Sequence, residues 1–328
     1  MAIVMARGLR KSFRVADKQP GFSGTMRHLL RRRWIDLEAV REVSFQIEAG
    51  EVVGFLGGNG AGKTTTLKLL SGLIHPSGGE LEVAGHRPFR RQRAFLEAIT
   101  LVMGQKQQLI WDLPPLDSLR VNAAVYGIDD QEARRRIGEL AEMLELGDAE
   151  LTRPVRKLSL GQRMKAELLA ALLHRPAVLF LDEPTLGLDV NAQARVRQFL
   201  ADYNRRTGAT VLLTSHYMGD ITALCPRVLL IHGGRLVHDG GLADLTSRLA
   251  PCRAVRLDLR EPVAVEAIAP FGVVEQMDGR EVRLLIPRER LTEAVAGLLA
   301  RFDVVDLEVN DPPIEELIGD LFRQGGRP

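Results

Sequence analysis

The 328-residue chain is poor in several things, and each shortage closes off a class of protein. Its two cysteines, Cys225 and Cys252, are too few for a disulfide framework and read as buried free thiols in a reducing compartment. No apolar run reaches the roughly 18 residues that a membrane span needs, and Met1-Ala2-Ile3 opens into a strand pattern, not a secretory signal. Charge of one sign is missing too. With 44 Lys and Arg against 42 Asp and Glu, no overall basic field argues for nucleic acid as a partner. The expectation is a cytoplasmic chain; any work at a membrane requires a partner that supplies the span. Hydrophobic content of 45% and charge of 26% are ordinary for a globular protein with one large core and a small second domain.

The feature that is present is a glycine-rich loop in a telling context. The apolar run Val52-Val53-Gly54-Phe55-Leu56 leads into Gly57-Gly58-Asn59-Gly60-Ala61-Gly62-Lys63-Thr64, and a helix follows from Thr65 to Leu70. Strand, Gly-x-x-x-x-Gly-Lys-Thr and helix together make a P-loop. Successive backbone N–H groups can turn inward onto phosphates, and the helix presents its positive end to them. Lys63 then reaches the β- and γ-phosphates, and the Thr64 hydroxyl helps to hold Mg²⁺.

Around this loop, Ile3 to Leu9, Val43 to Ile47, Glu80 to Ala84 and Ile99 to Met103 have strand patterns. Residues 16–36 interrupt them with Pro20, Gly21, Gly24 and the basic run Met26 to Trp34. That run reads either as a short amphipathic helix for a membrane surface or partner, or as a solvated insertion. From Asp117 to Leu146 and from Gly161 to Leu173 the period is helical, with Leu119, Ala123, Tyr126, Ile137, Leu140, Met164, Leu168 and Leu172 on the apolar stripes. Val178 to Asp182, Val211 to Thr214 and Val228 to Ile231 are apolar without alternation, as parallel strands buried on both faces must be. Pro251 and a renewed strand pattern mark a boundary near 249. Beyond it, strands near 273–277, 282–286 and 304–309 and helices near 289–301 and 314–322 form a small α+β unit without a chemical motif.

The strand ending in Asp182-Glu183 places one carboxylate where Mg²⁺ can be held and a second where an attacking water can be deprotonated. Pro184-Thr185-Leu186-Gly187-Leu188-Asp189 follows, and Leu158-Ser159-Leu160-Gly161-Gln162 lies shortly before. With the P-loop, Gln105 after a strand and His216 after Thr214-Ser215, these residues resemble, in order and spacing, the nucleotide-binding subunits of ABC transporters. The likeness spans residues 1 to about 245. It implies an α/β P-loop NTPase core of the ABC ATPase type with an antiparallel β subdomain and a helical subdomain at about 106–175, within a domain covering 1–248, plus a small α+β domain at 249–328.

By the same resemblance, Lys63 and the amides of 58–65, Thr65 included, bind the phosphates of ATP. Thr64, Gln105 and Asp182 surround Mg²⁺, and Glu183 is the general base. His216 contacts the γ-phosphate, and Asp189 couples two sites. Ser159, Gly161 and Gln162 close over the nucleotide of a second copy, or a paralogue, in a head-to-tail dimer. Phe13 stands where the family stacks an aromatic on adenine; a core phenylalanine ending the first strand reads equally well. Gln107 and Gln108 compete with Gln105. Three departures stand out: Gly58 replaces a frequent proline, Leu160 replaces a glycine, and Gly104 adds a residue before the glutamine.

The tail from Val304 to Val309 and from Pro312 to Ile318 looks like that of ATPases in drug- and lipid-exporting systems of the ABC-2 type. The insertion at 16–36 and the segment Gly104 to Pro114 look like a bacterial branch of the same group. Such a subunit sits at the cytoplasmic face of the membrane and drives export through separate integral-membrane permease subunits. Trp111 and Leu113 are either contacts to those subunits or part of a helical core. The alternative, a soluble ABC-type ATPase acting on nucleic acid or the ribosome, usually brings two cassettes, a long coiled coil or a zinc insertion. None is visible here.

Overall fold

The computed structural model describes residues 1–16, 34–104, 108–215, 217–249 and 252–310. The chain forms two compact units, Met1–Gly240 and Gly241–Pro328.

In the first unit, β1 (Ala2–Ala16) pairs antiparallel with β2 (Trp34–Glu48) and with β4 (Gly78–Val83), in the order β2-β1-β4. A second sheet joins β3 (Val52–Leu56), β5 (Ile99–Met103), β6 (Val178–Asp182), β7 (Thr210–Thr214), β8 (Arg227–His232) and β9 (Arg235–Gly241) in the order β5-β6-β7-β3-β8-β9. Its pairs β5·β6, β6·β7, β7·β3 and β3·β8 are parallel. Strands β6 and β7 are buried almost throughout, which explains why their sequences do not alternate.

Helix α1 (Lys63–Leu70) touches β2 and β4 of one sheet and β6 of the other. Its Leu67, Leu69 and Leu70 join Val4, Phe45, Phe55, Phe180 and Leu229 in one core. The helix that follows the glycine loop is therefore held from both sides, so its N-terminus is a fixed point.

Helix α2 (Arg93–Ala98) leads into β5, and between β5 and β6 lies a helical insert of α3 (Pro115–Val125), α4 (Asp130–Leu144), α5 (Asp148–Thr152) and α6 (Leu160–Leu172). Gly127, at φ 67°, breaks the helical run expected across 117–146 into α3 and α4, and Asp129 caps α4 by accepting from Gln131 and Glu132 N–H. Helices α7 (Val190–Thr207) and α8 (Met218–Leu224) complete the unit.

The N-terminal hairpin differs from the expectation. Its ladder continues through Phe13↔Leu37 and Val15↔Ile35 to Ala16↔Trp34, so Trp34 belongs to a strand and not to a helix end. Register shifts after Ala6 and around Leu9 and Lys11 break the alternation that would have revealed the strand's length. The basic run at 26–33 lies outside the described residues.

In the second unit, α9 (Leu242–Leu249) precedes β10 (Cys252–Leu259), α10 (Val265–Ile268), β11 (Val273–Asp278), β12 (Glu281–Pro287), α11 (Leu291–Arg301) and β13 (Val304–Asn310). The sheet is antiparallel, in the order β11-β12-β10-β13. Val255, Leu257, Leu284, Ile268 and Leu298 give it its own core. The helix expected near 314–322 falls outside the described residues. Both cysteines are free; Cys225 is buried as expected, whereas Cys252 is only partly so, because it begins a strand. Among the described residues no helix is long and apolar enough to cross a membrane.

Candidate nucleotide site

Strand β3 ends at Leu56 and the chain turns through 57–62 into α1. Gly62 has φ 110°, and a Cβ there would lie 2.4 Å from the Ala39 carbonyl oxygen, so no other residue fits. As the N-cap it has no side chain to satisfy the first amides of α1, which are left for a ligand. Gly58 is half-buried, Asn59 and Gly60 are exposed, and Ala61 is buried.

Lys63 is only 7% exposed, and its Nζ donates to the carbonyls of Gly57 at 2.6 Å and Gly58 at 3.1 Å. Burial pushes its pKa below the ordinary lysine value, and the carboxylates of Glu183 and Asp182 oppose that. The ammonium is therefore aimed along the loop, with two acidic groups behind it.

Those groups come from the end of β6. Asp182 accepts hydrogen bonds from Thr64 Oγ1 at 3.0 Å and from Thr214 Oγ1 at 2.7 Å. Thr214 in turn accepts from the Glu183 N–H, at 3.1 Å to Oγ1 and 3.1 Å to its carbonyl oxygen. Because its one proton goes to Asp182, the hydroxyl must offer a lone pair to Glu183. Thr64 and Asp182 thus set a hydroxyl and a carboxylate side by side next to Lys63. No group of three or more His, Cys, Asp or Glu among the described residues could form a metal cage. One carboxylate, one hydroxyl and phosphate oxygens are a donor set that suits Mg²⁺, which seldom uses an all-protein site.

The loop 158–162 lies elsewhere. Ser159 caps α6 in a reciprocal capping box: its Oγ accepts from Gln162 N–H at 3.2 Å, and Gln162 Oε1 accepts from Ser159 N–H at 3.0 Å. The Ser159 proton stays available for donation. Leu160, in place of the expected glycine, is 41% exposed at the first turn of α6, and Gly161 packs close to Ala192. Asp189 caps α7 by accepting from Ala192 N–H at 2.8 Å. No hydrogen bond among the described residues joins Ser159, Gln162 or Asp189 to the P-loop.

Gln105, Gln107 and His216 lie outside the described residues. Gln108 is turned back onto β5, donating from Nε2 to the Leu101 carbonyl at 3.2 Å. Phe13 is 37% exposed with Lys11 Nζ 5.0 Å from its ring centre, so it is not a core residue. Ile110, Trp111 and Leu113 are likewise exposed, at 47%, 44% and 39%, with Arg163 over the Trp111 ring, which excludes the helical-core reading. Thr214, Thr185, Arg197, Asp220 and Glu167 had not been singled out. Their one signal was a polar residue at a strand end or inside an apolar helix stripe. A cavity of about 710 Å³ lies away from all of these, among Leu140, Leu172, Tyr203 and Ala209. A P-loop grips phosphate through backbone amides on a shallow surface, so volume does not mark it.

A parallel sheet that delivers a P-loop, with an Asp-Glu pair one strand away, defines a P-loop ATPase. The family model for "ABC transporter" matches residues 40–186, and that for "EvrA-like ABC transporter, C-terminal domain" matches 251–310. The linearmycin resistance ATP-binding protein LnrL of Bacillus subtilis (strain 168) is 30% identical over 292 residues, 86% of this chain and 93% of its own length. The Nod factor export ATP-binding protein I of Burkholderia pseudomallei (strain 1710b) is 34% identical over 253 residues, 76% of this chain and 81% of its own. Among solved structures, a dimeric post-hydrolysis state of the ATP-binding cassette MJ0796 bound to ADP and Pi has the same fold, with TM-score 0.59, 23% identity, and coverage of 73% of this chain and 98% of that one. The chain belongs to the ATP-binding subunits of ABC transporters, which bind and hydrolyse ATP.

Proposed function

We propose that this subunit works as a head-to-tail dimer, with ATP and Mg²⁺ between the P-loop of one copy and the Ser159 loop of the other. It drives export through separate membrane subunits of the ABC-2 type at the cytoplasmic face. One observation supports this above all: the Asp182 carboxylate is shared by the Thr64 and Thr214 hydroxyls, while Glu183, one residue on, is tied to the same Thr214. The name of the Nod factor export protein supports the direction of transport, and the dimeric MJ0796 cassette supports the assembly.

On this reading Lys63 exchanges its bonds to Gly57 and Gly58 for phosphate oxygens, and the amides of 58–65 surround them. Thr64 and Asp182, with Gln105, would hold the cation, which supplies charge neutralisation between the phosphates. Glu183 takes the proton from the attacking water, and His216 contacts the γ-phosphate. From the partner copy, Ser159 donates its free hydroxyl proton, and the positive end of α6 adds its dipole, with Gly161 and Gln162 beside it. Phe13 offers an exposed ring to adenine, and Asp189 lies where α7 begins beside the Ser159 loop.

Glu183→Gln tests the assignment. The amide keeps the shape and cannot accept the proton, so turnover falls by roughly 10²-fold or more, and an ATP-bound dimer accumulates in size-exclusion chromatography. Hydrolysis at the wild-type rate would refute the base assignment.

A further inference from the structure

A carboxylate outside the phosphate site ties three segments of the chain together. Asp220, in the first turn of α8, is fully buried. Its Oδ2 accepts from Thr185 Oγ1 and from Ser215 Oγ, the latter at 2.6 Å, and its Oδ1 accepts from Arg197 Nη1 at 2.9 Å. The three donors stand on three different segments. Thr185 is in the loop after Glu183, Ser215 follows the last residue of β7 and directly precedes His216 in the chain, and Arg197 is on α7, the helix that Asp189 caps.

We propose that Asp220 is a positioning residue for ATP hydrolysis: it ties Ser215 and, through it, Tyr217, the two neighbours of position 216, to the loop from Glu183 to Asp189. The inference rests on the reading that Glu183 and His216 act at the γ-phosphate.

The hydrogen-bond directions support this. A carboxylate only accepts, so Ser215 must spend its single proton on Asp220. Its lone pair is then turned to the Tyr217 N–H, which donates to Ser215 Oγ at 3.0 Å. One hydroxyl therefore clamps the chain on both sides of position 216, and Asp220 dictates its polarity. Thr185 is oriented by the same oxygen, so the two loops cannot shift independently without leaving a buried donor unmatched. Arg197 supplies the countercharge that a buried carboxylate requires. Among the described residues no hydrogen bond joins this network to the P-loop, so it bears on geometry at the reacting end and not on nucleotide capture.

Asp220→Asn preserves size but replaces one acceptor oxygen with a donor, so it cannot serve all three partners. The kcat for MgATP is expected to fall roughly tenfold or more, with KM for ATP and Kd for ADP within about twofold. Ser215→Ala, which removes only the clamp, is expected to act in the same direction and decides the matter if the Asn variant does not fold. In a His216→Ala background, measured in single turnover, either change should add less than about twofold. Wild-type kcat in both variants overturns the proposal, as does a loss that adds in full on His216→Ala or that merely tracks lost ADP binding. Wild-type kcat in His216→Ala itself would instead remove the reading of His216, and the proposal with it.

Discussion

Gly104 and Glu183 meet backbone to backbone. The Gly104 N–H donates to the Asp182 carbonyl at 2.9 Å, and a Cβ on Gly104 would stand 2.4 Å from the Glu183 carbonyl oxygen. Glu183 itself has φ 55°, a left-handed backbone that costs a non-glycine residue on the order of 1–3 kcal/mol and that its neighbours must enforce. Gly104→Ala therefore pushes on the peptide that carries the proposed base. Steady-state assays should show kcat reduced by roughly 10²-fold, the penalty for misplacement by about an ångström, with KM little changed because Lys63 and its loop are untouched. A variant with normal kcat would show that the contact relaxes at no cost. In the sequence Gly104 was visible only as an extra residue before a glutamine; its reason is a contact with a strand far along the chain. The P-loop, Asp182 and Glu183 were legible because each needs a fixed residue type at a fixed spacing. Thr214 and Asp220 were not, since hydroxyls and carboxylates at strand and helix ends have many ordinary uses.

Helix α6 connects two ends of the molecule's chemistry. Ser159 caps its start, and about two turns later Glu167, 5% exposed, accepts from the backbone N–H groups of Gln108 at 2.9 Å and Leu109 at 3.3 Å. Those residues lie just beyond Gln105, so a shift of α6 and a shift of the segment after β5 are one event. Burial raises the Glu167 pKa, and the two amide bonds oppose it. A folded-state carboxyl raised above its unfolded value binds the proton more tightly when folded. This contribution is most favourable below the ordinary carboxylate range and is lost as pH climbs through that range to the raised folded value. Glu167→Gln removes it and also leaves one amide facing an NH₂ group. Hydrogen exchange at Gln108 and Leu109 should then speed up by roughly tenfold; unchanged protection would mean that the segment is held by other contacts. Sequence periodicity placed α6 correctly because Met164, Leu168, Leu169 and Leu172 share a face. It could not show an acid inside that stripe turning towards another loop. The bulges in β1 hid the hairpin for a similar reason: strand pairing overrides a broken pattern.

Among the described residues, one apolar core lies around α1 and another behind β10, each within its own unit. Calorimetry on the intact protein should resolve two transitions, and MgADP at about 100 times its Kd should raise the larger unit's Tm by roughly 5–10 °C while leaving the other in place. A single transition that moves as one would show that the units unfold together. The strands of the second unit were legible, but its sheet order was not, because β10 pairs with two strands that come later and alternation cannot choose among them. Its lack of a chemical motif in the sequence matches a framework built from an apolar core and surface charges.

The hairpin of β1 and β2 has a practical side. Phe13 and Leu37 face each other across the ladder, as do Val15 and Ile35, and all four are at least 37% exposed. They lie on a ribbon whose outer strand, β2, is an edge of its sheet. Among the described residues this is exposed hydrocarbon on an edge strand, a template for adventitious strand pairing. The shelf life of the purified subunit therefore depends on that strip being covered, and storage additives are best chosen for how well they shield a short apolar ribbon.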